Sequence, residues 1–210
     1  MLILASASKA RRRLLNQAKI NHIVIISGIN EKSVTEKNPK KLVQILANQK
    51  ANTVASQLLK ERNEKILNKP LNLILGCDSV FEFNGEIYGK PKDSIEAINR
   101  LKRMSGKKGI LHTGHSLVYV TCISRIKNSF SISKNKTDLI STEIEFCNLS
   151  IKEIENYVAT KEPLNCAGGF ALEGQGGLLI KSISGCYSNV IGLSLPWLRS
   201  NLNNIEEDKI

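Results

Sequence analysis

The first fifteen residues constrain this chain most. Leu2-Ile-Leu-Ala5 is a short apolar run, and small residues follow at Ser6-Ala-Ser8. Ala10, Leu14, Leu15 and Ala18 then recur at helical spacing. This order reads as a buried strand, a tight turn and a helix, with Ser8 as the N-cap. Arg11, Arg12 and Arg13 occupy the remaining arc near the start of that helix.

The same alternation continues. His22 to Ser27 reads as a second strand. Asn38-Pro39 opens a long helix with proline in its first turn, and Leu42, Val43, Leu46, Val54 and Leu58 mark its apolar face. Leu73 to Cys77 is a continuous apolar strand of the kind found in sheet centres, with Asp78 expected at its carboxyl end. Asn84-Gly85 is a hairpin signal. Asp93 with Glu96, and Ser150 with Glu153, have capping-box spacing ahead of two helices. Ile110 to Cys122 and Asp138 to Asn148 read as long strands, with a polar hairpin loop over residues 124–136. Leu178 to Ile183 reads as a strand, and Pro196 opens a last helix. Early strand–helix alternation followed by neighbouring long strands predicts an α/β protein with a mixed sheet. The 210 residues fit one domain or two closely joined lobes, without a clear linker.

Composition removes several classes. No apolar run approaches the ~20 residues that span a bilayer. The arginines follow the first apolar run, the reverse of a secretory leader, so a cytoplasmic protein is expected. Cys77, Cys122, Cys147, Cys166 and Cys186 are scattered and lack zinc-type spacing. The net charge of +11 invites anionic partners, nucleic acid first among them. However, aromatics are only 5% and do not interleave with basic residues, which argues against a nucleic-acid surface. Lys32, Lys37, Lys40, Lys41, Lys60, Lys65 and Lys69 read instead as a solvated surface.

Chemistry-bearing groups recur at a few places. Ser6 and Ser8 stand at a helix N-terminus, where hydroxyls and unsatisfied N–H groups suit phosphate oxygens. Glu31 follows a strand end in Gly28-Ile-Asn-Glu31. Lys50 lies beside the apolar stripe of the long helix, where snorkelling is the plain alternative. Asp78 is a lone acid in an apolar strand, which turn-capping alone could explain. Lys90 and Lys92 flank Pro91, and Gly168 to Gly177 is rich in turns. Cationic groups facing an isolated acid suit a metal-bound polyphosphate and an activated water.

Taken in order, these stretches resemble the Maf family of nucleoside triphosphate pyrophosphatases, once described as septum-formation proteins. The resemblance runs from Leu2 to about Leu198. It rests on Leu4-Ala-Ser-x-Ser8, Arg11-Arg12, Glu31, Leu46-Ala-x-x-Lys50-Ala51, Gly76-x-Asp78 and Gly85-Glu-Ile-x-Gly-Lys-Pro91. It continues through Ser105-Gly106, Thr113-Gly114, Tyr157-Val-Ala-Thr-x-Glu-Pro-Leu164, Ala167-Gly168, Glu173-Gly174 and Tyr187-Ser-Asn-Val-Ile-Gly-Leu193.

The resemblance implies an elongated mixed sheet flanked by helices, two lobes with a central cleft, and a homodimer. It implies hydrolysis of nucleoside triphosphates to monophosphate and pyrophosphate with Mg²⁺ or Mn²⁺. It also implies a house-cleaning role in the nucleotide pool and a link to cell-division arrest. Asp78 would be the general base and, with Glu31, a metal ligand. Ser6, Ser8, Arg11, Arg12, Lys50 and Lys90 would hold phosphates, and the Gly168–Gly177 region would wall the base pocket. Cys166-Ala-Gly and Glu173 resemble the subfamily selective for 7-methyl-GTP; the pyrimidine-preferring one has Lys and Gln there. Lys9 replaces a usual proline, and Asn30 stands where an acid is frequent. A basic nucleic-acid-binding module and a division regulator without catalysis are the rival readings.

Overall fold

The computed structural model describes residues 1–63, 65–124 and 129–207. Its strands are β1 (Leu2–Leu4), β2 (His22–Val24), β3 (Leu71–Phe83), β4 (Glu86–Tyr88), β5 (Lys108–Ser124), β6 (Ser129–Phe146) and β7 (Ile180–Ser184). Its α-helices are α1 (Lys9–Gln17), α2 (Pro39–Lys60), α3 (Ser94–Met104), α4 (Ile151–Ala159), α5 (Tyr187–Ile191) and α6 (Leu195–Glu207). The strands form one sheet in the order β2-β1-β3-β5-β6-β7, with β4 paired to β3. β1 runs parallel to both β2 and β3, whereas β3–β4 and β6–β7 are antiparallel. This is the mixed α/β architecture expected.

The helices begin where local chemistry stops the strands. Ser8 caps α1 by accepting the Arg11 N–H. Asn38 caps α2 through the N–H groups of Lys40 and Lys41, and Pro39 lies in the first turn. Ser150 and Glu153 close a full capping box on α4. At α3 the expectation is half met. Asp93 accepts the Glu96 N–H, but the Glu96 carboxylate takes the Lys92 N–H, one residue before the cap.

The chain divides into two compact units, residues 1–78 with 114–139 and residues 79–113 with 140–210. The core of the first includes Ile3, Ala51, Val54, Leu58, Ile74 and Val118. In the second, Phe81, Phe146 and Phe170 pack edge to face, with centroids 5.2–6.0 Å apart. Asn189 joins the strands there. Its side-chain N–H groups donate to the Ile140 carbonyl and the Thr142 hydroxyl, and its backbone carbonyl accepts from the Thr113 hydroxyl.

Three boundaries differ from expectation. β3 continues through Asp78 to Phe83, so the acid lies inside the strand. A charge ends a strand when water must solvate it, and here a lysine does so instead. Ser124 of the expected loop ends β5, and residues 129–136 belong to β6, where Ser133, Lys134 and Asn135 are exposed; residues 125–128 lie outside the described residues. β7 starts at Ile180 because Gln175–Leu179 forms a 3₁₀ turn.

In the first unit, α2 rests on the sheet backbone to backbone. A Cβ added at Gly76 would lie 2.1 Å from the Ala47 carbonyl oxygen and 2.9 Å from the Ala51 nitrogen. One added at Gly114 would lie 2.1 Å from the Val43 carbonyl oxygen. Backbone cannot swing aside as a side chain can. Gly76→Ala is therefore expected to cost at least ~1–3 kcal/mol, the usual scale of overpacking. Thermal melts would show a lowered Tm, whereas Gly89→Ala, with nothing within 4 Å of the added carbon, should melt as the unaltered protein does.

Candidate active site

The close approach at Gly76 determines what Lys50 can reach. Val43, Leu46, Ala47, Lys50, Ala51, Val54, Ala55 and Leu58 form the buried stripe of α2. Lys50 is thus on the core face, and only 7% of it is exposed. It does not snorkel. Its ammonium donates to Asp78 Oδ1 at 2.6 Å and lies 2.7 Å from Glu31 Oε1. Glu31 reaches it from a 3₁₀ turn, Glu31–Ser33, with its own side chain half exposed.

Asp78 is buried, and burial raises its carboxyl above the usual range. The Lys50 and Arg11 charges oppose that rise, and Glu31 adds to it. The adjacent Cys77 thiol is wholly buried and pushed up to about 11, chiefly by burial. It is a packing group rather than a nucleophile.

The start of α1 supplies a second constellation. Ser6 Oγ accepts the Ser8 N–H and an Arg11 guanidinium N–H, each at 3.2 Å. Ser6 and Arg11 are buried, while Arg12 and Arg13 are exposed. This corrects the expectation that all three arginines lie on the arc outside the buried stripe. Arg11 shares the inward face with Leu14 and Leu15, at i, i+3 and i+4. The structure therefore brings Glu31, Lys50 and Asp78 into direct contact, within the field of Arg11, and places Ser6 and Ser8 against Arg11.

Lys90 and Glu173 belong to the second unit, and both are exposed. They share a neighbour in Cys166. Burial, then Glu173 and Glu162, push that thiol up to about 11, and Lys90 opposes them. Glu162 is a residue whose role sequence reasoning missed. Its carboxylate accepts the N–H groups of Gln175 at 3.1 Å and Gly176 at 2.9 Å, and the Tyr157 hydroxyl bonds it too. Burial and that bond hold the Tyr157 phenol well above its ordinary value. Glu162 thereby anchors the loop that follows Glu173. The only signal was its place beside Pro163 in a quoted stretch.

The donor set suits a hard divalent cation. Two carboxylates, Glu31 and Asp78, converge on one cationic group, the Lys50 ammonium, and Mg²⁺ takes one or two carboxylates with phosphate oxygens and water. Among the described residues no cluster of three or more His, Cys, Asp or Glu gathers, so Glu31 and Asp78 remain the candidate protein ligands.

The family resemblance implies that Asp78 is the general base, and a base must be ionised to work. kcat/KM should therefore show an acid limb, with the rate rising as pH rises and the carboxyl loses its proton. Asp78→Asn should lower turnover by at least ~100-fold and abolish that limb. Steady-state pH profiles of both proteins check this; an unchanged profile in the variant would place the base elsewhere.

The chain is similar to known proteins along nearly its whole length. The family model described as Maf-like protein matches residues 1–205. A protein of Prochlorococcus marinus named nucleoside triphosphate pyrophosphatase is 53% identical over 203 residues, covering 97% of this chain and 96% of its own. Proteins of the same name from a Synechococcus strain and from Trichodesmium erythraeum are 49% and 48% identical, over 95% and 97% of this chain and 97% and 94% of theirs. A match along nearly the whole length places the chain in the Maf family.

Proposed function

We propose that this protein hydrolyses nucleoside triphosphates to the monophosphate and pyrophosphate. The observation that carries the reading is the buried Asp78, held by Lys50 beside the half-exposed Glu31 and within the field of Arg11. The shared name of the relatives, nucleoside triphosphate pyrophosphatase, supports it.

In this mechanism Asp78 takes a proton from water. The water oxygen bonds to the α-phosphorus, the bond from that phosphorus to the bridging oxygen breaks, and pyrophosphate leaves. Arg11, Arg12 and Lys50 give charge-assisted donors to a chain bearing about four negative charges. Ser6 and Ser8 support the phosphates through hydroxyl and backbone N–H at the α1 N-terminus. Lys90 adds a further cation to the phosphates, a role taken from the family resemblance. Mg²⁺ or Mn²⁺, held by Glu31 and Asp78, would supply Lewis-acid neutralisation of the phosphate oxygens.

The finer reading is a preference for modified purine triphosphates such as 7-methyl-GTP. An ionised Glu173 suits a base edge rich in donors, which guanine has and uracil and thymine lack. Clearance of modified nucleotides in the cytoplasm, a homodimeric state and a tie to division arrest complete it.

Product analysis tests the reaction. Pyrophosphate and monophosphate are expected, dependent on divalent metal; orthophosphate and diphosphate as first products would overturn it. Glu173→Gln should narrow the preference for 7-methyl-GTP over dTTP and UTP, read as a ratio of kcat/KM values. Faster turnover of dTTP and UTP than of any guanine nucleotide by the unaltered protein would remove the base assignment and leave the reaction standing. Lys90→Ala should lower kcat as well as raise KM, by about 10- to 100-fold in kcat/KM, the scale of one hydrogen bond to a charged group.

A further inference from the structure

Lys90 sits in a loop whose backbone is held from both sides. Glu96, Arg100 and Arg103 lie at i, i+4 and i+7 on α3, a polar stripe on an amphipathic helix. Arg100 is largely buried. One arm of its guanidinium donates to the Gly89 carbonyl at 2.7 Å, and the other to Glu96 Oε1 at 2.6 Å. The remaining carboxylate oxygen, Glu96 Oε2, accepts the Lys92 N–H at 2.7 Å. The guanidinium also stacks over Tyr88, 4.6 Å from the ring centroid. A second donor, the Gly168 N–H, reaches the same Gly89 carbonyl at 3.3 Å.

These bonds commit the peptide group before Lys90 and the N–H two residues after it. Pro91, between them, is buried, has a fixed φ and has no N–H to place. The side chain of Lys90 is left exposed, as is that of Lys92. A helix–hairpin brace could be made by any apolar contact. A planar fork serving a carbonyl and a carboxylate at once is specific to arginine.

We propose that Arg100, held by Glu96 and stacked on Tyr88, is a positioning residue that fixes the Gly89–Lys92 loop and so presents Lys90 to the phosphate chain. This rests on the proposed reaction, in which Lys90 binds phosphate. Ordering a backbone residue costs roughly a factor of ten. A loop ordered before substrate arrives spares that factor in binding and in the transition state.

The test is a double-mutant cycle on the full chain, with kcat and KM measured for GTP and 7-methyl-GTP in Mg²⁺. Arg100→Met should lower kcat/KM about 10-fold. Arg100→Lys, which keeps the charge but loses the fork, should fall between. In the Lys90→Ala background, Arg100→Met should add less than 2-fold, because a residue that acts through Lys90 has nothing left to position. Independent, multiplying losses, or no loss from Arg100→Met, overturn the proposal and leave the reaction untouched. If Lys90→Ala alone stays within 2-fold of the unaltered protein, the phosphate role of Lys90 falls and the clamp falls with it. Melting curves accompany each variant. Should Arg100→Met not fold, Glu96→Gln enters the same cycle, with the same expected loss and the same loss of additivity.

Discussion

The first unit depends on the absence of a side chain at Gly76. That absence lets α2 lie directly on β3, and the helix then carries Lys50 to Asp78 on the strand beneath. Removing charges from water costs several kcal/mol per ion, and an ion pair regains that only with good geometry. The 2.6 and 2.7 Å bonds provide such geometry on the lysine. An apolar pair of equal volume would fold at least as well, so stability alone does not explain these three residues. The proposed role of Asp78 as general base, beside a cation and a half-exposed second carboxylate, accounts for them.

The second unit also relies on charged side chains, there bonded to backbone. There an arginine and a glutamate hold the Gly89–Lys92 loop, and another glutamate, Glu162, holds the Gln175–Gly176 turn. In both cases a charged side chain satisfies loop backbone groups, and the Gly89 carbonyl is shared with the Gly168 N–H. Each loop ends up carrying an exposed residue of the proposed chemistry, Lys90 in one and Glu173 ahead of the other.

Much of this was legible in the sequence wherever the signal is local. Ser8, Asn38-Pro39, Asn84-Gly85 and Ser150 with Glu153 mark their turns and caps correctly, because each acts on backbone within four residues. The family resemblance named Glu31, Lys50 and Asp78, and those three meet in the fold. What was not legible depends on distant partners. β3 runs past Asp78 because Lys50, twenty-eight residues away in sequence, takes the place of solvent. The start of β6 read as loop because its residues are mostly polar and only pairing makes it a strand. Glu162 and Arg100 were passed over since their bonds go to backbone groups that no sequence pattern advertises.

The inward turn of Arg11 divides the protein's surplus of positive charge into two populations. Lys32, Lys37, Lys40, Lys41, Lys60, Lys65 and Lys69 are all exposed, as are Arg12 and Arg13. Arg11, Lys50 and Arg100 are instead tied to named partners at fixed distances. The exposed lysines set solubility and long-range attraction to anions, and they can be exchanged freely between lysine, glutamine and glutamate. A chain redesigned to near-neutral pI through those positions alone would keep its architecture, losing only the salt-sensitive component of its encounter with polyanions.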